Sequence, residues 1–219
     1  MKLLFSPPSL DDLIRLLKAW RFWSLGALIG ALLGAAVYTI APPPYRSHAV
    51  VLVDFNLEQA WPEETDRQQF YYLERESRKL EEIAFSDVVM ETIVENNRNV
   101  TLQELRGGML SLSQPAEGGW NFYVDDADPQ HASSLASLWT QTFVAQVRPR
   151  VANADGLNSF IEVAVTQTAQ VPVMRSIPIG TYLFVGAILF LAVGSLFVLF
   201  VSPSSPASTS LTLRPARKE

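Results

Sequence analysis

Cysteine is absent from this chain of 219 residues, and histidine occurs only twice. Without cysteine there is no disulfide framework, no thiolate metal site and no cysteine nucleophile. His48 and His131 are far apart and lack the spacing of a metal site. Each is therefore interpreted as an ordinary surface or half-buried side chain. The sequence therefore excludes thiolate chemistry and shows no pair of histidines at metal-site spacing.

Recognisable catalytic and phosphate-binding motifs are also missing. No lysine directly follows a glycine, which excludes a G-x-x-x-x-G-K-[ST] phosphate loop. The acidic cluster of Asp125, Asp126 and Asp128 lacks the alternating pattern of a calcium loop, so helix capping by Asp128 explains it better. We therefore expect no catalytic residue, no cofactor and no metal ion, and hence a protein that is not an enzyme.

Charged residues are scarce, at 18% against 48% hydrophobic residues, and their distribution is uneven. The central segment 42–176 carries 10 Lys/Arg against 19 Asp/Glu, whereas each flank has a net charge of +2. Nucleic-acid phosphates require a basic surface, so the acidic centre argues against a nucleic-acid partner.

The apolar residues concentrate in two runs without a charged residue, Phe22–Ala41 with 20 residues and Ile177–Val201 with 25. A helix needs roughly 20 apolar residues to cross the hydrocarbon core of a bilayer. We therefore predict transmembrane helices over 22–41 and 177–201. A cleaved signal peptide is the alternative for the first run, but its leader would carry two acids and no good cleavage site follows.

The charges around the first run predict the orientation. Arg15, Lys18 and Arg21 lie just before it, and cations favour the cytoplasmic side. The prediction is a multi-pass protein of the cytoplasmic (inner) membrane, with both termini in the cytoplasm and 42–176 periplasmic or extracellular. Segment 1–21 is predicted to form an interfacial helix, and the Ser/Pro-rich segment 202–219 a disordered cytoplasmic tail.

The first run also contains a stripe of small residues. Gly26, Gly30 and Gly34 are spaced by four and therefore share one face of the helix. Small residues allow two helix backbones to approach closely, so this stripe is predicted to be a packing face. We expect it to support self-association, although the partner helix could also belong to the same chain.

The central segment alternates between strand and helix patterns. Strands are predicted over 46–55, 109–113, 120–125 and 160–168, and helices over 66–84, 87–96 and from 128 to about 147. Ser86, Thr101 with Glu104, and Asp128 followed by Pro129 are read as helix N-terminal signals, and Pro149 as a helix end. Phe70, Leu73, Ser77, Leu80 and Ile83/Ala84 are predicted to form the inner face of the first helix.

This order of strand, helices, strand, strand, helix and strand predicts a ferredoxin-like sandwich. The fold class is therefore an α+β membrane protein, in which two transmembrane helices flank a ferredoxin-like extracytoplasmic domain. Pro172 and Pro178 mark the approach to the second span.

Several segments taken together resemble the polysaccharide co-polymerases, the Wzz-type chain-length determinants, in a short form. They are 12–20 before the first span, 42–53 after it, the helical stretch 79–94, the stretch 125–139 around Asp128-Pro129, and the approach with Pro172 and Pro178. The resemblance implies a membrane homo-oligomer that sets the length of a surface glycan made by a separate polymerase, without being catalytic itself.

The sequence departs from the larger members of that family. They insert a long helical hairpin where 148–159 is only a short turn here, and one branch carries a fused tyrosine kinase that is missing. The resemblance implies a scaffold that regulates the chain length or export of a polysaccharide and contacts a polymerase and the growing glycan. The alternatives are an adaptor that activates a separate cytoplasmic tyrosine kinase, and an extracytoplasmic sensor or accessory subunit unrelated to glycans.

Overall fold

A computed structural model describes residues 20–60, 66–97, 99–114 and 119–201. Its contacts separate a helix pair, drawn from 1–42 and 179–219, from a folded unit, Pro43–Pro178. The predicted interfacial helix falls outside the described residues except for its last two positions, and the predicted tail falls outside them entirely.

The described elements alternate in the order that the sequence predicts. The helices are α1 (Trp20–Ile40), α2 (Leu57–Ala60), α3 (Asp66–Ala84), α4 (Asp87–Asn96), α5 (Leu102–Glu104), α6 (Pro129–Ala152) and α7 (Ile179–Val201). The strands are β1 (Tyr45–Asp54), β2 (Leu110–Ser113), β3 (Gly119–Asp126) and β4 (Glu162–Gln167), and a π-helical turn covers Leu105–Met109. Helix and sheet are therefore mixed within the folded unit.

The four strands form one antiparallel sheet in the order β2-β3-β1-β4. The chain's first strand lies in the centre, where Ala49 pairs with Phe122 of β3 and Val53 pairs with Val163 of β4. Alternate residues of β1 are buried, because successive side chains of a strand point to opposite faces. One face of the sheet therefore belongs to the core, and the other carries the exposed members of the pattern.

Large aromatic residues fill the core between the sheet and α6, which packs across β1, β3 and β4. Trp139 and Phe143 of α6 are fully buried, and their rings lie 4.6 Å and 5.1 Å from that of Phe122. The indole Nε1 of Trp139 donates to the carbonyl oxygen of Ala84 at 2.9 Å, which ties the end of α3 to α6. A buried indole N–H needs such an acceptor.

The predicted end of α6 at Pro149 is wrong, because the helix continues to Ala152. A proline inside a helix removes one backbone hydrogen bond and crowds the carbonyl oxygen four residues earlier, so continuation of the helix needs compensating contacts. Val147 on one side of it is buried and Val151 on the other packs against the core. The backbone N–H of Asn153 then closes the helix on the carbonyl oxygen of Pro149 at 3.0 Å.

The inner face of α3 matches the prediction at Leu80, Ile83 and Ala84, which are buried, and differs from it in the first half of the helix. Phe70 is 63% exposed, whereas Tyr72 and Glu76 are buried in line with Leu80. Side chains four residues apart share a helix face, so 72, 76 and 80 form the stripe that packs inward. Because the middle residue, Glu76, is charged, the hydrophobic pattern of the sequence did not reveal this stripe.

Two predicted helix N-terminal signals behave differently. Ser86 occupies the N-cap position of α4 but makes no capping bond, because its hydroxyl donates to the carbonyl oxygen of Ile83 at 2.8 Å. Thr101 and Glu104 form the predicted capping box. Hydrogen bonds from the backbone N–H and the hydroxyl of Thr101 hold the pKa of Glu104 below its usual value.

Candidate functional site

The three glycines of the predicted packing stripe lie on α1 and face α7 of the same chain. A methyl group added at Gly30 would lie 2.6 Å from Cβ of Phe190 and still closer to the carbonyl oxygen of Gly186. One added at Gly34 would lie 2.8 Å from the carbonyl carbon of Tyr182. Real Cβ atoms do not approach other heavy atoms so closely, so glycine is required at both positions. Self-association through the same stripe stays a prediction.

Gly26 contributes less to the close approach than the other two glycines. A methyl group there would lie 3.5 Å from a ring carbon of Phe190, which is an ordinary van der Waals contact with a side chain. The contact between backbones is therefore centred on Gly30 and Gly34.

The matching glycine of α7 was missed by the sequence analysis. A methyl group at Gly186 would lie 3.1 Å from the carbonyl carbon of Gly30 and 3.3 Å from Cα of Gly34. Along the same face, a methyl group at Gly194 would lie 3.5 Å from the ring of Trp23. The glycines within the second apolar run are the signal that could have found this face.

The two helices run antiparallel, since positions of rising number on α1 meet positions of falling number on α7. The rings of Tyr38 and Tyr182 close one end of the pair edge to face, with centroids 5.4 Å apart. Two hydroxyl groups of the pair bond to their own helix: Ser195 donates to the carbonyl oxygen of Leu191 at 2.8 Å, and Thr39 to that of Ala36 at 2.8 Å. Such bonds spare the hydroxyls a need for water.

The burial pattern of α1 is the reverse of that in a water-soluble helix. Its buried residues are Gly30 and Gly34, whereas Leu25, Leu28 and Leu32 are more than half exposed. Both helices are long and apolar enough to cross a membrane, over Trp20–Ile40 and Ile179–Leu196.

The segment that approaches the second apolar helix is held against the start of β1. Arg175 forms a β-bridge with Tyr45, and its guanidinium lies 4.6 Å from the centre of the Tyr45 ring. Its Nη1 donates to the carbonyl oxygen of Pro43 at 2.7 Å, and the backbone N–H of Ser176 donates to that of Pro44 at 2.9 Å. We call these contacts the Arg175 clamp.

The two prolines singled out by sequence, Pro172 and Pro178, flank the Arg175 clamp. Proline disfavours helical backbone in the residue before it, here Val171 and Ile177, and so disfavours a start of α7 before Pro178. The sequence pointed to this segment but missed Arg175, whose contact with Tyr45 joins residues 130 positions apart.

The three aspartates around the start of α6 each have a protein partner. Asp128 is the N-cap, with its Oδ1 accepting from the backbone N–H of Gln130 at 2.8 Å, and Pro129 is the first helical residue. Asp126 contacts the His131 ring at 2.7 Å, and Asp125 holds Arg46 through two bonds of 2.7 Å and 2.6 Å. The bonds from Arg46 to Asp125 raise the pKa of the guanidinium.

Glu76 is the buried charge that the sequence analysis did not single out. Its Oε1 accepts from Arg75 at 3.0 Å and from Lys79 at 2.8 Å, and Lys79 also donates to the carbonyl oxygen of Gly156 at 2.7 Å. Its Oε2 is buried without a hydrogen-bond partner in the described part of the chain. Beside it, burial raises the pKa of Tyr72 to about 12, and the Glu76 charge adds to that effect.

Within the described ranges, no group of three or more His, Cys, Asp or Glu side chains could hold a metal ion. Comparison with known proteins assigns no family: no family model matches the chain, and no curated protein matches it.

Proposed function

We propose that α1 and α7 are transmembrane helices and that Pro43–Pro178 is an extracytoplasmic domain on a chain whose two termini are cytoplasmic. The burial pattern of the helix pair carries this proposal. In water, exposed leucines around buried glycines would leave a large apolar surface unprotected. In a bilayer, lipid covers the leucines and close backbone contact holds the helices together.

On this anchor, the chain acts as a non-catalytic scaffold that regulates the chain length or export of a cell-surface polysaccharide. The support is the resemblance to polysaccharide co-polymerases together with the strand order β4-β1-β3-β2, which is that of a ferredoxin-like sandwich. Its partners are further copies of the chain, a polysaccharide polymerase and the growing glycan.

Reporter fusions test the topology. A fusion at Gly118 should be active only outside the cytoplasm, and a fusion at Arg217 only inside it; both positions lie outside the described residues. The physical reason is the cluster of Arg15, Lys18 and Arg21 before the first span, which favours the cytoplasmic side. Cytoplasmic activity at Gly118 would contradict the proposed orientation.

Gel analysis of surface polysaccharide tests the function in three strains: wild type, a gene deletion, and a truncation that lacks 202–219. A scaffold biases a polymerase without forming bonds itself, so the deletion should leave synthesis running and broaden or shift the length distribution. The truncated protein should keep much of its length control. Cations of the tail such as Arg214 and Arg217 would contribute only about 0–1 kcal/mol each through exposed ion pairs with a kinase partner.

The other hypotheses predict different gels. An adaptor of a tyrosine kinase would lose partner phosphorylation and show the full defect on truncation of the tail. An unchanged length profile in the full deletion would reject both glycan functions and leave the sensor or accessory subunit.

Assembly is tested by the mass of the purified protein in mild detergent. We expect a defined oligomer for wild type and smaller species when Gly26, Gly30 and Gly34 are all replaced by leucine. Since Gly30 and Gly34 contact α7 of the same chain, the triple variant disturbs the helix pair of each copy as well as contacts between copies. A monomeric wild type would contradict the proposed homo-oligomer.

A further inference from the structure

Two apolar side chains in the approach to the second span are almost completely exposed. Val173 is 93% exposed and Met174 is 78% exposed, more than any other large hydrophobic residue described in the folded unit. Val171, in the same segment, is 53% exposed. A single exposed apolar residue needs no explanation, whereas three within four positions mark a candidate interaction site.

The Arg175 clamp fixes the backbone next to this patch. Arg175 and Ser176 are bound to Pro43, Pro44 and Tyr45 through the bonds described above. The segment is thus held in place although it belongs to neither a helix nor a regular strand. Its exposed side chains therefore lie directly beside an anchored part of the backbone.

The clamp also lies close in sequence to both apolar helices. Pro43 is three residues past the end of α1 at Ile40, and Ser176 is three residues before the start of α7 at Ile179. Three residues of extended chain span at most about 11 Å. If the hydrocarbon boundary of a bilayer lies at these two helix ends, Pro43 and Ser176 are each within that reach of it.

The chemistry of the segment suits the boundary between headgroups and acyl chains. Tyrosine rings and arginine side chains are favoured there, because each has an apolar body and a polar end. Pro172 has no backbone N–H, so the loop brings one fewer unsatisfied donor toward lipid. Val173 and Met174 supply the apolar surface that acyl chains would cover.

We propose that Val171–Met174 is a lipid-contacting loop, which inserts Val173 and Met174 into the headgroup boundary of the leaflet next to the folded unit. The Arg175 clamp holds the loop in that position. This inference rests on the proposed membrane placement of α1 and α7. Lipid is the favoured partner because the covalent connection to the spans keeps it within reach in every copy.

The absence of cysteine makes a clean test available, since one introduced cysteine labels one position. Full-length protein with Val173→Cys carries a spin label in bilayers of phosphatidylethanolamine and phosphatidylglycerol. Collision of the label with oxygen, which concentrates in lipid, is compared with collision with a water-soluble nickel chelate. Leu189→Cys, on the exposed surface of α7, is the lipid reference, and Ser111→Cys, exposed on β2, is the water reference.

We expect the ratio of oxygen to nickel accessibility at position 173 to lie well above that at 111 and below that at 189. If the ratio at 173 equals that at 111 while the ratio at 189 is high, as in lipid, the loop proposal is wrong and the proposed spans stand. A water-like ratio at 189 would instead overturn the membrane placement itself.

A second variant tests the clamp. Arg175→Gln should increase the mobility of the label at 173 and lower its oxygen-to-nickel ratio, because the bond to Pro43 and the contact with Tyr45 are lost. Arg148→Gln, which changes an exposed arginine of α6, is the matched control and should leave both readings unchanged. Equal readings in the two variants would reject the role of the clamp.

Discussion

The folded unit and the helix pair use opposite kinds of residue at their centres. In the folded unit, Trp139, Phe122 and Phe143 are fully buried, and stability comes from removing large apolar side chains from water. In the helix pair, Gly30 and Gly34 are buried and the leucines face outward. Large side chains fill the centre of the folded unit, whereas residues without a side chain form the centre of the helix pair.

On the proposed membrane placement of α1 and α7, this difference follows from what each surrounding solvent allows. Burial of a large ring away from water is favourable, and the free energy gained grows with the area buried. Lipid is as apolar as leucine, so burial of a leucine away from lipid gains little. Van der Waals contact between closely packed backbones is then what holds two helices together. Removal of a large ring should therefore be the damaging change in the folded unit, and addition of a methyl group the damaging change in the helix pair.

The largest effect is expected for Trp139→Ala in the folded unit. Loss of a fully buried indole and of its bond to Ala84 should lower the free energy of unfolding by about 3–5 kcal/mol. Thermal unfolding of the full chain in detergent, followed by near-ultraviolet circular dichroism, measures it. Leu32→Ala, at a position 62% exposed on α1, is the control and should leave this transition unchanged. Equal transitions in the two variants would contradict the assigned core.

Adding a methyl group should destabilise the helix pair, as removing a ring destabilises the folded unit. Gly30→Ala places Cβ against the backbone of Gly186, and overpacking of this kind costs about 1–3 kcal/mol. Gly26→Ala meets only the Phe190 ring at 3.5 Å and should be nearly neutral. The measurement is the yield of a short cross-link between Tyr38→Cys and Tyr182→Cys, which should fall for Gly30→Ala. Equal yields for both alanine variants would contradict the backbone contact.

The buried Tyr72 gives the folded unit a dependence on alkaline pH. Its pKa of about 12 lies above the usual 10, so between these values the folded chain keeps a proton that the unfolded chain releases. Stability must then fall as pH rises through this window, by on the order of 1–2 kcal/mol. In Tyr72→Phe this part of the fall in the free energy of unfolding should be absent. Unfolding of both proteins at pH 9 to 12 measures it.

Tyr71→Phe, which removes a hydroxyl that is exposed on the same helix, is the matched control. If the two variants follow the same stability profile, burial does not set the titration of Tyr72.

The smallest effect is expected at the start of α6. Asp128→Ala removes the acceptor for the backbone N–H of Gln130, and loss of an N-cap typically costs about 1 kcal/mol. Asp128→Asn keeps an oxygen acceptor and should recover most of the loss in the same thermal assay. If Asn is no better than Ala, the capping bond is not what stabilises this turn.

The sequence predicted those features of the folded unit that are encoded locally. The bounds of α3 and α4 match the prediction. Asp128-Pro129 stands at the start of α6, because an N-terminal signal acts within one helical turn. The end of α6 was wrong because Val147 and Val151 pack against the core on both sides of Pro149. That packing comes from residues distant in sequence.

The candidate sites show the same limit. Spacing by four revealed that Gly26, Gly30 and Gly34 share a face, but only the structure shows that Gly186 of the same chain meets it. Burial of Glu76 was hidden because its neighbours Arg75 and Lys79 compensate the charge. The hydrophobic pattern of a sequence does not reveal a buried charged residue whose charge is compensated by its neighbours.

The central position of β1 has a mechanical consequence. β1 and β4 are antiparallel neighbours, with Asp54 opposite Glu162 and Val50 opposite Gln167, so the ends that lead toward the two helices leave the sheet on the same side. A force that pulled the helices apart would reach the Tyr45–Arg175 bridge first. The hydrogen bonds between β1 and β4 would then break one after another, instead of bearing the load together in shear. Lateral tension on the helices would therefore break the contacts of the Arg175 clamp first, before it could disturb the aromatic core.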